Sequence, residues 1–234
     1  MSGHSKWATT HRQKAVVDAK RGAAFTKLGN MIAIAARGGT DPTTNSSLAL
    51  AIEKARAANM PNANIQRAID RINDKNAAVL EEAVYEGYGP GGVGIIIETA
   101  TDNKNRTYPE VRTALTKNGG TMADSGSVMF QFARKGVIRV AASGEEALLT
   151  VLDAGAEDAV EEDGGLTVYT DKKELAKVRE ALLAAGMTVE DAELQYVPNN
   201  TVTVGDDETA RKLTKIIDAL EALDDVTNVA TNAA

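Results

Sequence analysis

The amino-acid sequence predicts an α+β protein of three domains, an all-helical N-terminal domain followed by two α+β domains. Helical periodicity runs from about residue 9 to residue 75, and strand-like segments alternate with helical ones from about residue 92. Residues 136–197 give the order β-α-β-β-α-β, which is typical of a ferredoxin-like domain. Similar half-sets of elements flank this segment, which indicates that the last domain is inserted into the middle one. The predicted domains are 1–78, 79–133 together with 200–234, and 134–199.

Three apolar stripes predict the helices of the N-terminal domain, because their members recur every three or four residues. The first helix ends at Gly38-Gly39, the second stops at Asn59, and Asn62 caps the third. We expect the stripes to form the core and the Lys and Arg side chains to face outward. The stripe residues are Phe25, Leu28, Ile32 and Ala35; Leu48, Ile52 and Ala55; and Ile65, Ile69 and Ile72.

The middle domain is expected to begin with a strand, because residues 93–100 form a β-branched run. Residues 71–83 are interpreted as a linker, and the glycine-rich GYGPGG at 87–92 as a tight connection into the strand. A capping box at Thr107 and Glu110 predicts the start of a helix. Further predicted elements are a strand at 128–132, a strand at 201–204, a helix at 207–223 and a strand at 226–230.

The inserted domain contains four predicted strands and two predicted helices. Capping boxes at Ser143 with Glu146, and at Asp171 with Glu174, predict where the helices begin. The second helix is expected to end at Gly186. The strands are predicted at 136–142, 156–162, 166–170 and 188–196.

The composition excludes several classes of protein. An apolar fraction of 43% with 25% charged residues is that of an ordinary globular chain. No apolar run approaches the ~18 residues of a membrane-spanning helix, and the basic N-terminus lacks the apolar segment of a secretory signal. The chain has no cysteine, which removes disulfides, thiolate metal ligands and cysteine nucleophiles. We expect a cytoplasmic protein without a membrane partner.

Charge is strongly polarised along the chain. Residues 1–75 hold 12 Lys and Arg against 5 Asp and Glu, a net charge of +7. Residues 76–140 hold 7 of each sign, and residues 141–234 hold 7 cations against 21 acids, a net charge of −14. Cations gathered on one surface displace counterions from a polyanion, so the N-terminal part is predicted to bind nucleic acid. A solvated helix face is the alternative for any single basic segment.

The sequence offers no convincing catalytic or cofactor site. Its two histidines, His4 and His11, lie seven residues apart without the carboxylates that would complete a metal site. The segment at 87–92 lacks the Lys and Ser/Thr of a phosphate-binding P-loop, and it precedes a strand instead of following one. The acidic cluster at 157–163 is interpreted as a solvated turn. We therefore predict a non-enzyme without catalytic residues, metal, cofactor or small-molecule substrate.

A series of motifs extends over nearly the full length of the chain. They are SGHSKW (2–7), DAKRG (18–22), FTKL (25–28), YEGYGPGGVGIIIE (85–98), TDNKNRT (101–107), KNGGTMADSGSV (117–128), KGVI (135–138), AGAED (154–158) and DDVTNV (224–229). In this order they resemble the YebC/PmpR family of probable transcriptional regulators, whose mitochondrial members resemble translational activators. The resemblance implies a helical N-terminal domain and two α+β domains.

The resemblance also implies which residues face nucleic acid. The basic N-terminal arm and the first helix match the basic surface of the family, and residues 105–107 match its NRT motif. The candidate nucleic-acid-binding residues are Ser5, Lys6, His11, Arg12, Lys14, Lys20, Arg21, Lys27, Arg37, Asn105 and Arg106.

Two functions of a non-enzymatic regulator of gene expression remain open. The first is a translation factor that binds rRNA and tRNA at the ribosome and eases difficult elongation, with ribosomal proteins as further candidate partners. The alternative is a regulator of transcription that binds promoter DNA. The basic residues lie in a Ser/Gly/Thr-rich arm, which suits phosphates and shape better than a major-groove code. No helix-turn-helix spacing is evident, and this favours RNA.

Overall fold

One compact unit interrupts the other in the structure, a computed structural model that describes residues 18–74, 77–162 and 164–234, with side chains from residue 22 onward. The inserted unit is 133–197, and the described residues before and after it form the main unit. The helices are α1 (Asp18–Ala35), α2 (Ser46–Ala57), α3 (Asn62–Asp70), α4 (Lys104–Lys117), α5 (Glu145–Asp153), α6 (Leu175–Ala184) and α7 (Asp207–Glu221). The strands are β1 (Glu81–Tyr88), β2 (Gly94–Thr101), β3 (Thr121–Ala123), β4 (Phe132–Val140), β5 (Asp158–Glu162), β6 (Gly165–Asp171), β7 (Val189–Pro198) and β8 (Val226–Thr231).

The helices α1, α2 and α3 pack around one apolar core, as the three stripes predict. Asn45 fixes the start of α2, because its side chain accepts a hydrogen bond from the Leu48 N–H at 3.1 Å. The same side chain donates to the carbonyl of Ala35 at 2.7 Å, which ties the end of α1 to the start of α2. Ile72 is the exception to the prediction, since it lies beyond α3 and is 42% exposed. The buried core residues are Leu28, Ile32, Ala36, Leu48, Ile52, Ala55, Met60, Ile65 and Ile69.

The main unit contains an antiparallel sheet in the order β3-β1-β2-β8. The pairing of β2 with β8 joins the chain before the insertion to the chain after it. Side chains of α4 and α7 cover one face of β2, where Ile95 and Ile97 belong to their common core. On the same strand Ile96 is also fully buried, and α1 contacts β2 and β8. Burial on both faces explains why β2 is a continuous apolar run instead of an alternating one.

The inserted unit has the element order β4-α5-β5-β6-α6-β7 and the sheet order β5-β6-β4-β7. This is the ferredoxin-like arrangement that the element order predicts. Gly136 of β4 permits close packing, because a Cβ there would lie 2.3 Å from the Thr170 hydroxyl on the paired strand β6. The fold class is thus confirmed, while the boundaries of three separate domains stay a prediction.

Two predicted strands are wrong, and the linker predicted at 71–83 extends three residues too far. Residues 81–88 form β1, although EEAVYEGY has few β-branched residues and contains a glycine. Residues 129–131 form a 3-10 turn, and β4 begins only at Phe132. Residues 201–204 contribute a single parallel bridge between Val202 and Ala233. In each case contacts distant in sequence outweigh the local pattern.

Four predicted helix starts also need correction. Asn62 is the first residue of α3 and not its cap, because Pro61 precedes the helix and gives no side-chain cap. Asn103 caps α4 by accepting a hydrogen bond from the Arg106 N–H at 3.2 Å, and Thr107 lies buried inside the helix. The residues before α5 and α6 are Gly144 and Glu174, and neither gives its helix a side-chain cap. At α4 the pattern misplaces the start because the Thr107 hydroxyl bonds to the Asp225 carboxylate instead of capping the helix. Ser143 and Asp171 lie two and four residues before Glu145 and Leu175, the first residues of α5 and α6.

A buried carboxylate shapes the loop between β3 and β4. Glu86 of β1 is only 3% exposed. It accepts hydrogen bonds from the backbone N–H groups of Gly126, Val128 and Met129 at 2.6, 2.7 and 2.8 Å. Burial by itself raises the pKa of Glu86, but these donors outweigh it and hold the pKa below its ordinary value. The loop is therefore built around an ionised side chain.

Replacing Glu86 by Gln should lower the free energy of unfolding by about 2 kcal/mol, because the amide NH₂ cannot accept from a buried N–H. Urea denaturation at neutral pH measures this difference. Glu82→Gln, at an exposed position of the same strand, is the matched control and should behave as wild type. The effect should be complete above the ordinary carboxyl pKa of 4.5 and should vanish as the pH falls through the lowered pKa of the folded state. Equal stability at neutral pH would contradict this role.

Candidate nucleic-acid interface

The structure describes only part of the predicted nucleic-acid-binding set. Ser5, Lys6, His11, Arg12 and Lys14 lie outside the described residues. Lys20 and Arg21 belong to the beginning of α1, where the backbone alone is described. The side chains of Lys27, Arg37, Asn105 and Arg106 are described, and each contact below concerns these residues and their neighbours.

Lys27 of α1 holds the helical part of the main unit against α7. Its ammonium donates a hydrogen bond to the carbonyl of Glu221, the last residue of α7. A cation at this position is favourable, because the carboxyl end of a helix carries a partial negative charge. Burial lowers the pKa of Lys27 below its ordinary value, although the nearby charges of Glu221 and Asp224 raise it. This ammonium therefore has a partner within the protein.

Two arginines of the helical part hold the segment that leads into β1. Arg37 donates from Nη1 to the carbonyl of Leu80 at 3.1 Å. Arg71 donates from Nη2 to the carbonyl of Ala78 at 3.3 Å and from Nη1 to the Asn30 side chain at 3.4 Å. Arg37 is otherwise on the surface, so its guanidinium retains donors for an outside partner. Arg71, which sequence reasoning missed, belongs to the same set of internal contacts.

Arg106 of the NRT motif pairs with Asp225, which immediately precedes β8. Its Nη2 lies 3.0 and 2.8 Å from the two carboxylate oxygens of Asp225 and 3.1 Å from Asp102. The hydroxyls of Thr107 and Thr101 lie 2.6 and 3.0 Å from the Oδ2 atom of Asp225. This cluster, Thr101, Asp102, Arg106, Thr107 and Asp225, is called the Asp225 network below. Asn105 is exposed beside it in the first turn of α4.

The pKa of Asp225 reflects its surroundings. The residue is 7% exposed, and burial alone raises the pKa. Hydrogen bonds from Thr107, Arg106 and Thr101 outweigh burial and hold the pKa below its ordinary value, while Asp225 raises the pKa of Arg106. Both partners therefore stay charged, and the NRT motif has a structural role that its sequence does not reveal.

A cleft of about 580 Å³ lies beside the Asp225 network in the main unit. Its lining carries both signs of charge, with Arg71 and Arg106 facing Asp102, Glu110 and Asp224. Such a mixed lining offers no net attraction for a polyanion. The cleft is lined by α1, α4 and the segments that follow α3 and α7, and its charges do not resemble a phosphate site.

The connection between α2 and α3 departs from the sequence analysis. Four residues, 58–61, join the two helices, and this is the spacing of a helix-turn-helix. Asn59 in this turn adopts a left-handed conformation with a φ of 59°. On α3 the exposed Gln66 donates to Asp70 at 2.9 Å, and Arg67 donates to Asn64 at 3.4 Å. The exposed polar face of α3 thus holds one cation and one acid.

The described part of the chain offers neither a metal site nor a membrane span. No group of three or more Asp, Glu, His or Cys side chains there has an arrangement that could hold a metal ion. Among the same residues, no helix combines the length and apolar character needed to cross a bilayer.

Comparison with known proteins decides the family. A profile described as the TACO1/YebC protein N-terminal domain matches residues 5–75, and one described as the TACO1/YebC second and third domain matches residues 80–233. The chain belongs to the TACO1/YebC family. Within this family, a "Probable transcriptional regulatory protein" of Moorella thermoacetica is 51% identical over 240 residues, which cover 100% of this chain and 95% of the relative. A protein of the same description from Chlorobaculum tepidum is 51% identical over 238 residues, 99% of this chain and 94% of the relative.

A solved structure has the same fold. The crystal structure of a conserved hypothetical protein from Aquifex aeolicus matches with a TM-score of 0.91 and 43% sequence identity. The match covers 98% of this chain and 97% of the other. The family resemblance inferred from the motifs is therefore confirmed over the whole length.

Replacing Asp225 by Asn should lower the free energy of unfolding by about 2 kcal/mol, because the neutral amide weakens the hydrogen bonds from Arg106, Thr107 and Thr101. Chemical denaturation monitored by circular dichroism measures the change. Glu81→Gln is the control, since it breaks the exposed pair between Lys104 and Glu81, whose side chains are 54% and 56% exposed. The control should unfold as wild type does. A similar loss in both variants would show that the Asp225 network has no special role.

Proposed function

We propose that this chain is a nucleic-acid-binding regulator of gene expression that acts without catalysis, as a translation factor on rRNA and tRNA at the ribosome. The observation that carries the proposal is the charge polarity, +7 in residues 1–75 against −14 in residues 141–234. Relatives named as probable transcriptional regulatory proteins support a role in gene expression and are not named as enzymes.

Several of the described cations have partners within the protein, which favours the first 21 residues as the main source of phosphate contacts. Lys27, Arg37 and Arg71 donate to groups within the protein, and Arg106 is paired with Asp225. Phosphate contacts are therefore assigned mainly to residues before Gly22, with Ser5 and His11 adding polar contacts and Arg37 and Asn105 at the margin. The assigned cations are Lys6, Arg12, Lys14, Lys20 and Arg21.

RNA is the preferred target for a chemical reason. Base-specific reading of duplex DNA needs a regular element in the major groove that presents several side chains to base edges. The basic residues 4–14 are interspersed with Ser, Thr and Gln, a composition that suits backbone and shape recognition of folded RNA. The strongly acidic part of the chain would then face basic ribosomal proteins instead of the RNA backbone.

A transcriptional regulator that binds promoter DNA is the second candidate. The helix-turn-helix spacing of α2 and α3 and the names of the relatives favour it. In this alternative α3 would enter the major groove, and Gln66 and Arg67 would contact base edges. The balance of Arg67 by Asp70 on the exposed side of α3 weakens the alternative, because groove-binding helices normally present a positive surface.

Removing Lys20 and Arg21 together tests whether these two residues make phosphate contacts. K20A/R21A should weaken binding to ribosomes and to rRNA fragments on the order of tenfold at about 0.1 M salt, and it should reduce the salt slope by about 1.4, since each lost phosphate contact contributes about 0.7 for single strands. K172A/K173A removes two exposed neighbouring cations from the inserted unit and is the matched control, with wild-type binding expected. Co-sedimentation and filter binding of the full chain give the affinities.

Q66A/R67A provides the test of the alternative in the same assays. The variant should bind ribosomes as wild type does. The wild-type chain should bind no promoter duplex more tightly than a random duplex at matched salt. Specific duplex binding that Q66A/R67A abolishes, with ribosomes unbound, would replace the translation factor by the transcriptional regulator. A large fall in the melting temperature of K20A/R21A with unchanged affinity would instead assign Lys20 and Arg21 to folding.

A further inference from the structure

The loop between β3 and β4 presents an aromatic ring to solvent. Phe130 is 72% exposed, more than any other large apolar side chain among the described residues. It lies on the 3-10 turn Met129–Gln131, in the main unit. Exposure of one apolar residue is common and does not by itself indicate a function. The backbone around Phe130 is more informative, because it is held in place on both sides.

Hydrogen bonds fix the backbone on both sides of Phe130. Before it, the buried carboxylate of Glu86 holds the N–H groups of Val128 and Met129. After it, the N–H of Asn199 donates to the carbonyl of Gln131 at 2.8 Å, and the Asn232 amide donates to the Gln131 side chain at 2.7 Å. The side-chain amide of Asn199 also lies 3.3 Å from the carbonyl of Phe130 itself. The ring is thus carried on a preorganised turn, which reduces the entropy lost on binding.

The loop that carries the ring is polar where it is exposed, and Asp124 is its charged residue. Ser125 and Gly126 of this loop are exposed, as is Asn199, whose side-chain amide donates to the Phe130 carbonyl. A protein hot spot usually combines an aromatic residue with an apolar surround, which these residues do not provide. Hydroxyl and amide groups next to an aromatic face instead match the edge and the face of a nucleobase. The negative charge of Asp124 repels a phosphate, so the base of a nucleotide is the more favourable partner for this loop.

We propose that Phe130 is a stacking platform for an unpaired base of RNA, with the neighbouring Asn199 as a polar partner for the base edge. The proposal rests on the proposed function as an RNA-binding factor and adds a second contact to the basic N-terminal region. Stacking on an aromatic side chain tolerates any base, because every base has a π-face. The platform therefore contributes affinity for single-stranded RNA without demanding a particular sequence.

The test uses the full chain and a single-stranded oligoadenylate RNA that contains one 2-aminopurine. Stacking on a ring quenches the fluorescence of this base, and titration of the protein gives the affinity in the same experiment. Phe130→Ala should weaken binding roughly tenfold and remove the quenching that wild type produces. Phe130→Tyr keeps the aromatic face and should retain both. Leu149→Ala removes a 57% exposed apolar side chain from the inserted unit and should change neither.

The outcomes separate this proposal from the proposed function. Wild-type affinity and quenching in Phe130→Ala, together with weakened binding in K20A/R21A, would overturn the stacking platform and leave the RNA-binding factor intact. Absence of RNA binding by the wild-type chain would overturn both. Loss of ribosome association in Phe130→Ala with unchanged RNA affinity would also overturn base stacking, because it would place a protein pocket against the ring. The melting temperature of Phe130→Ala should equal that of wild type, since the ring is exposed.

Discussion

The carboxylate of Asp225 closes a discontinuous fold. The chain leaves the main unit for residues 133–197 and returns, so β8 must pair with β2 across a long excursion that costs loop-closure entropy. Asp225 secures this return through both its backbone and its side chain. Its carbonyl accepts a hydrogen bond from the Ala100 N–H at 2.8 Å. Its carboxylate accepts hydrogen bonds from Arg106 and from two threonine hydroxyls. The register of β8 against β2 shifts at Glu98 and Thr99, directly beside this anchor.

The cations of the main unit differ in their use according to their position in the chain, some stabilising the fold and others being assigned to nucleic-acid binding. From Lys27 onward, several basic side chains of the helical part donate to backbone carbonyls within the unit, at Glu221, Leu80 and Ala78. A guanidinium or ammonium used in this way neutralises helix ends and chain carbonyls that would otherwise need water. In the proposed function, binding of a polyanion is assigned mainly to the cations that precede Gly22, and the proposed base platform at Phe130 would supply a contact of a different chemical kind.

Much of the fold was accessible from sequence because its signals are local. Apolar periodicity gave the three N-terminal helices, and β-branched runs gave β2, β6 and β8. The errors have a common physical origin. Strand β1 places a glutamate in the interior, because Glu86 binds a loop about 40 residues later, and no local pattern encodes that use of a carboxylate. Thr107 looks like a helix cap but bonds to Asp225, which lies 118 residues away.

The candidate site was predictable in its charge and not in its contacts. Summed charge identifies the basic end of the chain without any structure. It does not reveal that Lys27 and Arg106 are engaged within the protein, since both are also part of basic, polar motifs. Nor does it distinguish Phe130 from a core residue, because VMFQF has the composition of a buried strand. The structure shows this ring 72% exposed, on a turn whose backbone is held by hydrogen bonds to Glu86 and Asn199.

Ultraviolet cross-linking of the full chain to ribosomes, followed by mass spectrometry of the cross-linked peptides, tests the division between binding and folding most directly. The account predicts RNA adducts on peptides from residues 1–21 and on the peptide that carries Phe130, with none at Arg106 or on the acidic inserted unit. Adducts concentrated in residues 133–197, with residues 1–21 free of RNA, would contradict it.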